Sequence, residues 1–216
     1  NVWHNARLLR AAVADEPGAS AQLEFTAMRL DPAVTELLPA ARKVAQQAKS
    51  ADLPGLWADA SLRAVLWSDH TPETWAELPY DIELAQEGIE RVPAGSMRTR
   101  LEAQARRAEC RVATYEQRLG DARAACEAAL ASPATKSAEM AGLLSDLSVI
   151  LLLLHEPAAA VPIAQEMVRW REAHDGPGSG NVLQARTTLA SAHLGAGDLD
   201  SASDTLDRAS EAFERG

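Results

Sequence analysis

"LASAHLGAGDLDSASDTL", residues 189 to 206, holds no residue set suited to chemistry, but it has a beat. Leu189, Ala190 and His193 lead to Gly197; Leu199, Ala202, Leu206 and then Ala209 follow it. These offsets describe two helices joined at a glycine. Gly197 can take the left-handed conformation that ends one helix, and Asp198 is placed to cap the next. Ala190 and Ala202 fall where the two helices cross. Only small side chains there let the axes approach to the lower end of about 8–10 Å. A bulkier residue would overpack the crossing, at about 1–3 kcal/mol.

The beat recurs upstream. Ala160 stands 42 residues before Ala202, with Leu147, Ser148 and Leu151 ahead of it and Ala164 and Met167 behind. A further 38 residues back stands Ala122, preceded by Cys110 and Ala113, followed by Cys126 and Ala129, and closed by Pro133. "GLWADASLRAVLW" (55–67) and "DIELAQEGIERV" (81–92) read as another pair with a stretched connection, and the first 50 residues as helical but off the beat. The periodicity predicts helices over 2–14, 19–30, 33–51, 55–68, 80–92, 97–118, 120–131, 135–154, 157–174, 180–196 and 198–214. Pro32 and Pro157 suit first-turn positions, where a missing N–H costs little. Strand signals are nearly missing. Residues 68–81 form the one long irregular segment, with Trp75 tucked inward, and "HDGPGSG" (174–180) is the most flexible linker.

Composition agrees with helices. The 216 residues suffice for one large domain or a short repeat array, and 47 % are hydrophobic while only 4 % are aromatic. Alanine dominates the apolar fraction; it is the best helix former and a poor strand residue. The formal net charge of −10 repels phosphate backbones and anionic headgroups. Direct nucleic-acid or membrane binding by this segment is therefore not expected. "LSVILLLL" (147–154) is far short of the ~20 residues that cross a bilayer and reads as a helix buried on several sides. Cys110 and Cys126 show no CxxC pairing and read as two reduced, packed cysteines of a cytoplasmic protein. The start at Asn1, without Met, reads as an excerpt of a longer polypeptide.

The residues of 189–209 resemble the tetratricopeptide repeat (TPR), whose motif sets Leu, small, aromatic, Gly, aromatic or Leu, Ala, aromatic or Leu and Ala at these offsets. The resemblance is fullest over 180–214, looser over 135–174 and 97–133, and fades before residue 95. The chain therefore divides into a degenerate helical half, 1–95, and three TPR-like repeats in 96–216, as one continuous array. The resemblance implies an all-α right-handed superhelix of antiparallel helix hairpins. The 38- and 42-residue spacings exceed the usual period of about 34. They are similar to those of TPR arrays in large actinobacterial signalling and transcriptional regulators, of the LuxR type or with ATP-binding switch domains. Ala113, Leu151 and His193 stand where the motif favours aromatics, so the repeats are degenerate.

No catalytic constellation accompanies the repeats. There is no GxxxxGK[ST] loop, no GxSxG elbow and no second His to complete HExxH after His155-Glu156. His4, His70, His155, His174 and His193 lack metal-ligand spacing; His193 reads as a packed repeat residue and His155 as a turn residue. No cofactor or metal is expected, and the chain is not expected to be an enzyme.

What remains is surface. The resemblance implies that the first helices of successive repeats line a concave groove. Its groove-facing offsets fall on Gln104, Arg107, Arg111 and Tyr115, on Ser145, Asp146, Val149 and Leu153, and on Gln184, Thr187, Ser191 and Leu194. Spacings of i, i+3/i+4 and i+7 place each set on one helix face. Arg107 and Arg111 would hold a carboxylate, and Val149 and Leu153 an apolar anchor. In the blander alternative, "RTRLEAQARRAECR" is a solvated face with ion pairs such as Glu102–Arg106. The Lys/Asn constellation of carboxylate-clamp TPRs is not reproduced. Trp57, Trp67 and Trp75 read as core, Trp3 and Trp170 as exposed anchors.

The expected function is a non-catalytic scaffold or relay in a cytoplasmic bacterial regulator, connected with transcription. Its ligand would be a protein, a peptide or another domain of the same polypeptide, and homodimerisation is compatible with that role. A ligand spanning repeats could change their curvature and reposition an output domain. The alternative is a sensor domain enclosing a peptide pheromone or a small metabolite.

Overall fold

A helical hairpin needs one residue that reverses the chain, and here that residue is left-handed. The computed structural model of the chain describes residues 18–19, 21–22, 25–26, 37–68, 71–132, 140–176 and 178–214. Among them, Asp52 (φ 53°), Gln117 (φ 60°), His155 (φ 60°) and Gly197 (φ 80°) all sit at helix ends. At Gly197 the Asp198 N–H donates to His193 O (2.9 Å) and the Gly197 N–H to Leu194 O (3.1 Å). The same pair of bonds recurs at His155, from Glu156 to Leu151 and from His155 to Leu152, and at Asp52, from Leu53 to Ala48 and from Asp52 to Lys49. This is the Schellman pattern, which satisfies the last carbonyls of one helix while the chain turns into the next.

The described residues are helical with no strand, and the chain divides into two compact units, Asn1–Tyr115 and Glu116–Gly216. The first contains α1 (Leu37–Ser50), α2 (Pro54–Leu66), the single turn α3 (Pro72–Trp75), α4 (Leu78–Arg91) and α5 (Ser96–Tyr115). Helix α2 packs against α1, α4 and α5. Its alanines make this feasible, because Ala58, Ala60 and Ala64 are fully buried and let three neighbours come close. Trp57 is also fully buried, and its indole N–H donates to Leu84 O at 2.7 Å. Gly88 makes room for that ring: a Cβ there would lie 2.4 Å from Trp57 Nε1. Two buried carboxylates are paired. Asp59 meets Arg63 (3.2 Å) and Arg100 (3.1 Å), and Arg42 forks onto Asp81 (3.0 and 2.7 Å) and also reaches Glu77. Burial pushes the Asp81 carboxyl above its ordinary value, and the Arg42 hydrogen bonds and charge oppose that rise.

The second unit contains α6 (Leu119–Leu130), α7 (Met140–Leu153), α8 (Pro157–Asp175), α9 (Gly180–Gly195) and α10 (Leu199–Glu214). Each helix packs on the next in sequence, and α7 also touches α9. Ala122, Ala160 and Ala202 are all buried, as crossing positions must be. Ser148 takes the place of Ala190 at its crossing; it is fully buried, with its hydroxyl donating to Leu144 O. Leu144, Ala164, Met167 and Leu189 join the hairpins into one core. The fold is all-α, built of TPR-like hairpins.

Several expectations are corrected. The units meet between Tyr115 and Glu116, because α5 packs onto α2 and α4. The pair 55–67 with 81–92 does pack, but α1 and α2 form a hairpin of their own that the sequence beat does not show. Segment 68–81 includes the short α3, and Trp75 stacks on Tyr115 with ring centroids 5.0 Å apart. Glu102 pairs with Arg98 at 3.0 Å, not with Arg106. Cys110 and Cys126 are both buried, as expected, yet they are disulfide-bonded rather than reduced. Trp3, His4, Pro32, His70, Pro133 and the helix expected at 2–14 lie outside the described residues.

Candidate functional site

The second unit presents the clearest first-helix face. On α7, Leu147, Ser148, Ile150 and Leu151 are buried, and the opposite side carries Ser145, Asp146, Val149 and Leu153. Val149 is 42 % and Leu153 45 % exposed, which is unusual within so apolar a helix. On α9, which packs against α7, Gln184, Thr187 and Ser191 are exposed and Leu194 is 54 % exposed. The Thr187 and Ser191 hydroxyls donate to Leu183 O and Thr187 O of their own helix, both at 3.0 Å. Three large apolar side chains and several polar ones are thus exposed on two helices that pack together.

The set on α5 behaves differently and belongs to the other unit. Gln104 is buried and Arg107 is half-buried. Arg111 donates to Leu66 O at 2.7 Å, so it caps the last turn of α2, and donates to the Tyr115 hydroxyl at 2.6 Å. Tyr115 in turn lies against Trp75. Arg111 and Tyr115 thus fasten the segment after α2 to the unit, a use that their spacing on one helix face does not reveal. Trp57 fills the core, whereas Trp170 is partly covered rather than an exposed anchor and stacks on His174 at 3.9 Å.

Between α8, α9 and α10 lies an opening of about 370 Å³ that sequence reasoning missed. Its floor is Val168, Leu189 and His193, and polar residues of α8 and α10 form its walls. The signal was present as an i, i+4, i+7 run, Gln165, Arg169 and Glu172, on a second helix, away from the offsets the motif assigns to a groove. His193 Nδ1 is 3.3 Å from Asp198 Oδ2, and Asp198 Oδ1 accepts the Ser201 N–H at 3.1 Å. Hydrogen bonds from the Ser201 side chain and backbone, aided by His193, hold the Asp198 carboxyl below its ordinary value. Among the described residues no group of three His, Cys, Asp or Glu is arranged to hold a metal, and no helix is long and apolar enough to cross a membrane.

No protein-family model and no curated protein matches the chain. Solved structures do. MamA is 14 % identical over 95 % of this chain and 94 % of its own, with a TM-score of 0.45. BtubC (BKLC) from P. vanneervenii is 14 % identical over 87 % of this chain and 91 % of its own, with a TM-score of 0.49. A Podosopora anserina putative kinesin light chain with nearly identical TPR-like repeats is 10 % identical over 98 % and 95 %, with a TM-score of 0.46. The repeated Schellman turns and the buried crossing alanines define the hairpins independently of these likenesses.

Proposed function

We propose that the chain is a non-catalytic scaffold that binds a protein or peptide segment on the α7/α9 face. The observation that supports this is the exposure of Val149, Leu153 and Leu194 on adjacent first helices. Large apolar side chains grouped at a surface favour a partner that covers them. An apolar anchor would sit on Val149 and Leu153, and Asp146, Gln184, Thr187 and Ser191 would supply polar contacts around it. Arg111 and Tyr115 lie outside this surface, because both are engaged within their own unit.

Selection of peptides from a displayed random library on immobilised protein tests the reading. Selected peptides should bind the wild type and lose at least about tenfold in affinity to Val149→Glu/Leu153→Glu, which buries a charge under the anchor. Helical circular dichroism should be unchanged, because both side chains are exposed. Peptides that bind both proteins equally would move the site elsewhere. A regulatory, transcription-related role in a bacterial regulator is the finer part of this proposal. It rests on the resemblance, and a helix-turn-helix or ATP-binding switch segment in the same gene would support it.

A further inference from the structure

The opening between α8, α9 and α10 belongs to the other side of the second unit's helices. Three helix stripes converge on it: Gln165, Arg169 and Glu172 from α8, Arg186, Leu189 and His193 from α9, and Ser201, Asp204 and Arg208 from α10. Its volume, about 370 Å³, lies within the range of metabolite sites, roughly 300–1,000 Å³. One charge pair is already settled. Arg186 donates to Glu172 Oε1 and to Arg208 O, both at 2.7 Å, and so ties the floor to both walls. The remaining charges are not settled. The Arg169, Arg208 and Asp204 side chains have no hydrogen-bond or ion-pair partner among the described residues. Two guanidinium groups and one carboxylate are thus left facing one small opening in a chain whose overall charge is −10.

We infer that this opening binds a small zwitterion with two carboxylates and one ammonium, the chemistry of an acidic amino acid. Each free guanidinium matches a carboxylate in fork geometry. Asp204 matches the ammonium, and it disfavours a phosphate dianion, which would meet like charge. The apolar floor of Val168 and Leu189 suits the short aliphatic stem that joins these groups. His193, buried beneath and held by Asp198, offers a ring edge to the stem's polar end. The ligand would bridge α8 and α10 across α9 and so clamp two hairpins together. This site is independent of the α7/α9 face, which uses the opposite side of α9.

Isothermal titration of the whole chain tests the inference with glutamate, aspartate, glutamine, asparagine, N-acetylglutamate and inorganic phosphate. Glutamate or aspartate should bind saturably, and the uncharged amides and N-acetylglutamate at least about tenfold more weakly. Arg169→Met/Arg208→Met should remove binding, and Asp204→Asn should weaken it about tenfold. All three side chains are exposed at the rim, so folding should persist, and circular dichroism checks it. Val149→Glu/Leu153→Glu should bind glutamate as the wild type does, which separates this site from the peptide face. No saturable heat from glutamate or aspartate up to about 10 mM would overturn the inference. So would equal binding of N-acetylglutamate, a preference for phosphate, or undiminished binding by the double arginine variant.

Discussion

Gly197 and Gly88 show two different reasons for a glycine. At Gly197 an added Cβ would meet nothing within 4 Å, so only the backbone (φ 80°) demands the residue. Gly197→Ala should therefore lower stability by about 1–2 kcal/mol, the cost of a left-handed L-residue, with no change in packing; chemical denaturation followed by circular dichroism checks it. At Gly88 the backbone is ordinary and the obstacle is Trp57. Gly88→Ala should cost about 1–3 kcal/mol through overpacking and should shift the Trp57 fluorescence as the ring is displaced. Asp198 adds a pH dependence. Its carboxyl is held below the ordinary value, so its contribution is fully present above pH 3.8 and is lost as pH falls through the folded-state value. The difference in thermal midpoint between wild type and Asp198→Ala should be largest near neutrality and shrink in acid. The reversal at Gly197 and the cap at Asp198 were legible because glycine and aspartate advertise those roles. His155 was likewise read as a turn, and the helix breaks around Asp52 and Gln117 were placed, but the left-handed conformation at Gln117 was not legible, because glutamine has no preference for it and the flanking helices impose it.

Helix α8 carries a proline inside it, Pro162, well past the first turn. It removes an N–H that would bond to the Ala158 carbonyl, and it lies exposed, so no packing depends on the ring. Pro162→Ala should raise stability by up to about 3 kcal/mol, read as a higher thermal midpoint; a fall would show that the ring shapes the helix. Helix α7 illustrates the limit of pattern reading at this scale. "MAGLLSDLSVILLL" is apolar almost all round, so periodicity marks no buried face. The motif's offsets nonetheless picked Val149 and Leu153 as surface residues, and both are exposed. On α5 the same offsets picked Gln104, which is buried, and Arg111, which caps the end of α2. An offset specifies a helix face, and the neighbours determine whether that face stays open.

At the scale of the molecule, the cysteines carry the most direct test. Both are disulfide-bonded, so a thiol-reactive dye in denaturant should find no thiol before reduction and both cysteines after it. Free thiols in the protein as isolated would restore the reduced expectation. The sequence by itself determined that the chain is helical, where most helices begin and end, and which alanines lie at crossings. Those are local properties: alanine content, a helical period and caps act over one or two turns of chain. Only the tertiary structure decided that α1 and α2 form a hairpin and that the units part at Tyr115. It also decided that Arg111 closes a helix end, and that Arg169, Arg208 and Asp204 share one opening. These depend on which helices meet, and that is set by the fit of side chains far apart in sequence, a quantity no local window contains.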